Sequence, residues 1–236
     1  MEKLRNALTQ LNIEYTEGMI DQFKGYMDGI LEKNQFINLT AITDSDEFVV
    51  KHFIDSVLSA PAEEVKRAET IIDVGTGAGF PGIPLAIIFP DKKFVLMDSL
   101  AKRLKIIDEL CGQLGITNVT TVHARAEEMA RMKEHREKYD LCIARAVANM
   151  ATLSEYCLPF IAKGGYFLAY KGPDYAEELK AAKNAVRILG GEVKDVRYAS
   201  LPDFDLDHKI VYIEKTGMTP AKYPRKAGTP SKEPLR

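Results

Sequence analysis

The chain has no tryptophan, three cysteines and four histidines among 236 residues. Cys111, Cys142 and Cys157 are far apart, odd in number and set in apolar patterns, so neither a disulfide framework nor a CxxC metal site has support. They read as reduced core thiols. The histidines (His52, His123, His135, His208) lack the i, i+4 spacing that lets two imidazoles share a metal from one helix face, and no structural or catalytic metal is expected. No stretch approaches the roughly 18 apolar residues of a membrane span. The first twenty residues also lack a basic start followed by an apolar run. The expectation is a cytoplasmic protein with no membrane partner.

Hydrophobic residues make up 46% and charged residues 28% of the chain, ordinary values for a globular protein of one main domain with an appendage. The net charge of -2 conceals an asymmetry. From Gly217 to Arg236 five basic residues (Lys222, Arg225, Lys226, Lys232, Arg236) face one acid, Glu233, so this stretch is +4 and the remainder -6. It also holds four prolines. So polar and Pro-rich a segment reads as a mobile basic arm or a solubilising tail.

Residues 1 to about 60 read as helical, with Ile20, Phe23, Met27 and Ile30 at three- and four-residue steps and a shorter helix through Phe48, His52, Ser56 and Val57. At Glu69 the pattern changes to TIIDVG, a β-branched run typical of a strand buried on both faces. Strands and helices then alternate through KFVLMD, NVTTVH, YDLCIARA and YFLAYKG. Two last strands, Glu192–Tyr198 and Lys209–Glu214, flank a loop LPDFDLD and suggest an antiparallel edge hairpin. The order predicts a doubly wound, mostly parallel α/β sheet with an N-terminal helical extension. The expected divisions are 1–66 (helical extension), 67–216 (α/β domain) and 217–236 (basic tail). Ligands in such sheets bind beyond the carboxyl ends of the strands, which directs attention to the residues following TIIDV, VLMD, TTVH, CIAR and LAYK.

After the first strand stands Asp73-Val74-Gly75-Thr76-Gly77-Ala78-Gly79-Phe80-Pro81-Gly82. Its glycines allow positive φ and let a ligand lie against the main chain, so the loop can cradle an adenosine-sized molecule. The third glycine comes one residue early for the GxGxxG of a dinucleotide site, position 80 holds Phe, and no GK[ST] follows as a P-loop requires. The loop resembles the first motif of class I methyltransferases, which wraps the methionine end of S-adenosylmethionine. Asp98 closes the second strand 23 residues after Gly75, where a carboxylate can accept both ribose hydroxyls. It can equally cap the helix beginning near Leu100, as can Ser99. Beyond the third strand, Ala126 and Glu127 lie where such enzymes hold adenine. Glu127 also suits the first turn of a helix.

Arg145 closes an apolar strand, where a charge requires an anion or the ligand-bearing edge. Lys171 holds the matching place after YFLAY. Both cations are expected over the pocket, suited to a methionine carboxylate or an RNA phosphate, although either can be a structural ion pair. Arg125, Arg131, Lys133 and Arg136 form a basic cluster suited to RNA, interleaved with acids as on a solvated helix.

Together these motifs resemble the RsmG, or glucose-inhibited division protein B, methyltransferases, which modify N7 of a guanine in 16S ribosomal RNA. The resemblance runs through Asn38-Leu39-Thr40-Ala41-Ile42, His52-Phe53-Ile54-Asp55-Ser56, DVGTGAGFPGIPLA, MDSLAKR, ARAEE, IARAVA, Lys171-Gly172 and Tyr223-Pro224-Arg225-Lys226-Ala227-Gly228-Thr229-Pro230. It implies that Gly75, Phe80, Ala126, Glu127 and Arg145 contact S-adenosylmethionine, with Asp98 and Ser99 close by. Asp73 and Gly77 belong to the same cofactor loop. It further implies 16S RNA or the small ribosomal subunit as partner, and a monomer is expected. Arg145 and Lys171 are expected to position cofactor and nucleotide, the His52–Asp55 region to cover the pocket, and Arg145→Ala to depress methylation without unfolding. A methyltransferase acting on a small molecule or protein, a non-catalytic ribosome-assembly factor and an NAD-dependent oxidoreductase are the competing readings.

Overall fold

The computed structural model describes residues 1–145 and 148–236. Ala146 and Val147 of the IARAVA segment lie outside the described residues, as do the side chains of Ala199, Ser200, Asp205, Asp207 and His208.

The chain opens with two helices, α1 (Glu2–Gln10) and α2 (Glu17–Asn34). Thr16 starts α2 by accepting the Met19 amide at 3.2 Å, one of the orphan donors that every helix start leaves. Asp44 does the same for α3 (Ser45–Phe48). A π-helical stretch, Val49–Ile54, follows and runs into α4 (Asp55–Val57). Short α5 (Glu63–Arg67) then leads to the first strand. No strand interrupts this region among the described residues, as the 3.6-residue pattern foretells.

The sheet alternates β1 (Thr70–Val74), α6 (Gly82–Ile88), β2 (Lys93–Asp98), α7 (Ala101–Leu114) and β3 (Val119–His123). It continues with α8 (Ala126–Met129), β4 (Tyr139–Arg145), α9 (Met150–Cys157), β5 (Ile161–Lys171) and α10 (Tyr175–Ile188). The hairpin β6 (Gly191–Leu201) and β7 (Phe204–Lys215) and the single turn of α11 (Thr229–Lys232) close the chain. The spatial order is β3-β2-β1-β4-β5-β7-β6. Neighbours pair in parallel from β3 to β5, and β7 runs antiparallel to both β5 and β6. The order reverses between β1 and β4, which places the ligand crevice there.

The edge hairpin is longer than the sequence suggests. Only Pro202 and Asp203 separate the strands, and most of the acid-rich LPDFDLD belongs to the ladder.

Two apolar layers sandwich the sheet. One face packs α1, α2, α6 and α7 against Ile71, Leu96, Ile143 and Leu168. The other packs α8 to α10 against Ile72, Cys142, Phe167 and Ile213. The N-terminal helices therefore share a core with the sheet. Gly25 and Gly29, costly inside a helix by about 1 kcal/mol each, sit where α2 crosses α7, and a Cβ at either would collide with the Leu114 or Leu110 side chain.

Candidate functional site

The loop after β1 is fastened from inside. Asp73 is fully buried, and its Oδ2 accepts the Thr76 hydroxyl at 2.7 Å and the Gly82 amide at 2.9 Å. Its Oδ1 is the one buried side-chain polar atom among the described residues with no hydrogen-bond partner. Burial pushes the Asp73 carboxyl up to about 7, against the lowering effect of the two hydrogen bonds. Gly75, Gly77 and Gly79 have φ of 73°, 61° and 90°, a region that side chains with a Cβ rarely enter. Tyr26 of α2 donates its hydroxyl to the Ala78 carbonyl at 2.9 Å, so the N-terminal helices brace the loop directly.

Asp98 joins the glycine loop to the start of α7. Its Oδ1 accepts the Leu100 amide at 2.8 Å, which starts α7, and its Oδ2 accepts the Gly77 amide at 3.0 Å. Arg103 Nη1 stands 3.7 Å from Oδ2. Two backbone donors hold the carboxylate still, and each oxygen keeps a lone pair for a further donor.

A pocket of about 340 Å³ opens at the carboxyl ends of β1, β2 and β3, lined by Gly75, Asp98, Ser99, Ala126 and Glu127 among others. Its volume falls within the range of about 300–1,000 Å³ common for small-molecule sites. Five residues read from the sequence thus meet in one cavity. Val74, Met97, Leu100 and Ala124 also line it, as do Arg103, Arg125, Tyr156, Gly228 and Ser231. The last three were missed, since Tyr156 lies on an ordinary helix and the other two belong to the presumed mobile tail.

Phe80 and Arg145 form a second group at the switch between β1 and β4. Arg145 donates to Asp55 Oδ2 at 2.5 Å and to the Lys51 carbonyl at 3.1 Å. Its guanidinium carbon lies 5.5 Å from the Phe80 ring centroid, and Nη2 stands 3.3 Å from His52 Nδ1. His52 Nε2 is 2.7 Å from Thr40 Oγ1. A donor at Nδ1 leaves the proton on Nε2, so the ring donates to Thr40. Burial first and the Arg145 charge second bring the His52 imidazole down to about 4. The quoted segments 38–42 and 52–56 therefore converge on Arg145.

Three expectations need correction. Lys171 does not line the pocket: its ammonium binds the Ala148 carbonyl at 2.7 Å and Glu178 at 2.6 Å. Glu178 also accepts the Met150 amide, so Lys171 ties β5 to the starts of α9 and α10. Arg131 and Arg136 are structural rather than poised for RNA. Arg131 reaches the Pro224 carbonyl at 2.5 Å, and Arg136 reaches those of Thr219 and Tyr223 at 2.8 and 2.9 Å. The tail is no mobile arm, for Thr219, Tyr223 and Pro230 are buried. Arg225 forms an ion pair at 2.7 Å with Glu155, a fully buried residue.

Among the described residues no His, Cys, Asp or Glu group could hold a metal ion, and no helix is long and apolar enough to cross a membrane. The three cysteines are free and buried.

Comparison with known proteins agrees with this geometry. A putative O-methyltransferase from Klebsiella pneumoniae superposes with a TM-score of 0.54 at 14% identity, over 81% of this chain and 90% of that one. Aeropyrum pernix fibrillarin, solved with natively bound S-adenosyl-L-methionine, gives 0.50 at 20% identity, over 67% and 72%. These identities speak for the class I methyltransferase fold alone. Sequence relatives are nearer. The ribosomal RNA small subunit methyltransferase G of Clostridium novyi is 47% identical over 98% of this chain and 96% of that protein. Its counterpart in Alkaliphilus metalliredigens is 46% identical over 99% and 98%. The family model for GidB, described as rRNA small subunit methyltransferase G, matches residues 19–206, and on that span together with these nearly full-length relatives the chain belongs to the GidB family.

Proposed function

We propose that this chain transfers a methyl group from S-adenosylmethionine to N7 of a guanine in 16S ribosomal RNA, acting as a cytoplasmic monomer without a metal. The carrying observation is the pocket at the ends of β1 to β3, where Gly75, Asp98 and Glu127 meet beside the crevice that holds Arg145. The residues fit the cofactor. Asp98 is oriented by two amides to accept ribose hydroxyls. Asp73 brings an unpartnered carboxylate oxygen to the loop expected to wrap the methionine end. Asp73, Gly75, Gly77, Asp98, Ser99, Ala126 and Glu127 would hold it, with Phe80 and Arg145 at the reacting end.

When bound, S-adenosylmethionine supplies an electrophilic methyl on a sulfonium that is itself the leaving group. Guanine N7 carries an unprotonated lone pair on the major-groove edge, so no proton must be removed before attack. His52, the imidazole beside Arg145, is a poor general base, because burial and the Arg145 charge bring it down to about 4 and both its ring nitrogens are in contact with Arg145 and Thr40. The protein's contribution is alignment of acceptor and methyl. Arg145, braced by Asp55, is placed to orient the nucleotide through its remaining donors.

Labelled methyl transfer to ribosomal RNA from cells lacking this protein, followed by identification of the base, tests the reading. Label on guanine N7 of 16S RNA is expected. Cofactor binding without RNA labelling would turn the search to a small-molecule or protein acceptor.

A further inference from the structure

The C-terminal segment is held along its whole length by groups distant in sequence. Lys215, fully buried, donates to the Leu158 carbonyl at 2.7 Å and pairs with Glu137 at 3.0 Å. Glu137 in turn accepts the Thr219 amide at 2.7 Å. Arg131 and Arg136 hold the next carbonyls, and Thr152 donates to that of Pro230 at 2.9 Å. At the centre is Arg225. Both its backbone amide, at 2.6 Å, and its guanidinium bond to Glu155, and it also reaches the Glu233 carbonyl at 2.7 Å.

These fastenings serve one place. Three residues beyond Arg225, the Gly228 amide donates to Glu127 Oε1 at 2.8 Å. Glu127 is buried in the pocket wall, and Gly228 and Ser231 line the same cavity. Glu155, which anchors Arg225, is followed directly by Tyr156, another lining residue. A solubilising tail would require neither a buried ion pair nor a hydrogen bond to a pocket carboxylate.

We propose that residues 219–233 form a working wall of the cofactor pocket, and that Arg225 is the positioning residue that keeps this wall, and through Gly228 the Glu127 carboxylate, in place. The inference rests on S-adenosylmethionine as the ligand of that pocket. The wall lines a cavity that Phe80 and Arg145 do not line, so its loss should weaken ground state and transition state alike and appear in KM rather than kcat.

The test compares wild type, Arg225→Ala and Arg225→Lys by calorimetric titration with S-adenosylmethionine and by steady-state methylation. Arg225→Ala is expected to raise Kd and KM for the cofactor about tenfold, equivalent to about 1.4 kcal/mol, while kcat changes less than about twofold. Arg225→Lys keeps the charge without the two-pronged donor and should recover part of the loss. Hydrogen exchange on the wild type gives a reading independent of how the variants fold: cofactor should slow exchange at residues 226–231. A folded Arg225→Ala with wild-type Kd and KM, or exchange at 226–231 unchanged at saturating cofactor, overturns the proposal. A wild type that does not bind S-adenosylmethionine would overturn the cofactor reading itself, which sets the two failures apart.

Discussion

The His52 imidazole lies flat on the Phe80 ring, with centroids 4.5 Å apart and planes 3° from parallel. One ring belongs to the π-helical stretch of the N-terminal region and the other to the glycine loop, so this stack joins the helical extension to the site. It also partly buries His52, and with Arg145 alongside the imidazole falls to about 4 from an ordinary 6.5. Between those values the unfolded chain binds a proton that the folded chain does not, so His52 withdraws stability as pH falls from 6.5 towards 4 and has no effect above 6.5. Asp73, raised from 3.8 to about 7, acts in the opposite sense: across that window the folded state holds the extra proton, and stability is gained as pH falls. The wild-type curve therefore shows a net of the two. His52→Gln removes one term, and the stability of this variant relative to wild type should rise as pH drops from 6.5 to 4 in urea titrations. A difference that stays constant with pH would mean that His52 titrates normally in the fold.

Arg145 and Asp55 form a buried ion pair, with side-chain exposures of 13% and 0%. The sequence alone suggests that Arg145→Ala lowers turnover and spares the fold. The partner changes that expectation, because taking the guanidinium away from the fully buried Asp55 carboxylate costs on the order of 3 kcal/mol. Arg145→Ala should lose both activity and thermal stability. The double variant Asp55→Asn with Arg145→Gln should recover most of the stability and none of the methyl transfer. Restored transfer in the double variant would remove Arg145 from the mechanism.

Gly79 sits at a φ of 90°, and a Cβ there would strike the Tyr26 hydroxyl and come within 2.7 Å of Ile83 Cγ1. Gly79→Ala should cost at least about 1–3 kcal/mol from the backbone conformation and weaken cofactor binding as the loop shifts. Tyr26→Phe in the same background removes the nearest clashing atom and should restore part of the affinity. If it restores none, the strain rather than Tyr26 sets the cost. Urea midpoints and calorimetry on the two variants decide.

The parts legible in the sequence are those whose cause is local. TIIDV reads as a buried strand because β-branched residues run together, and four of its five positions are buried. Asp98 was legible because a strand end, a carboxylate and a preceding glycine loop fall in fixed order. The remainder depends on partners far along the chain. Lys171 and Arg145 occupy equivalent strand ends and look alike in sequence, yet one answers Glu178 and the other Asp55. The tail reads as mobile because it has few apolar residues, and what holds it is two guanidinium groups on its carbonyls and a carboxylate, supplied by residues 70 to 93 positions earlier. Spacing within a window carries no trace of such pairs.

That ordered tail alters the expectation for RNA. Arg131 and Arg136 are committed to its carbonyls, which leaves exposed Lys222, Lys226 and Lys232, with Arg236, as the cations it presents to solvent. A fixed surface loses less entropy on binding than a flexible arm, so these lysines can meet phosphates at defined positions. Each phosphate contact contributes about 0.7–0.9 to the slope of log K against log salt, so losing three should lower that slope by about 2–3. Replacement of all three by Gln should therefore weaken binding of small-subunit RNA and flatten its salt dependence, while the Kd for S-adenosylmethionine stays at the wild-type value because none of the three lines the pocket. Filter binding at several salt concentrations measures the slope, and calorimetry without RNA supplies the control. An unchanged slope would move the RNA contact to another face of the protein, with Arg125 and Arg103 at the pocket rim as the next cations to replace.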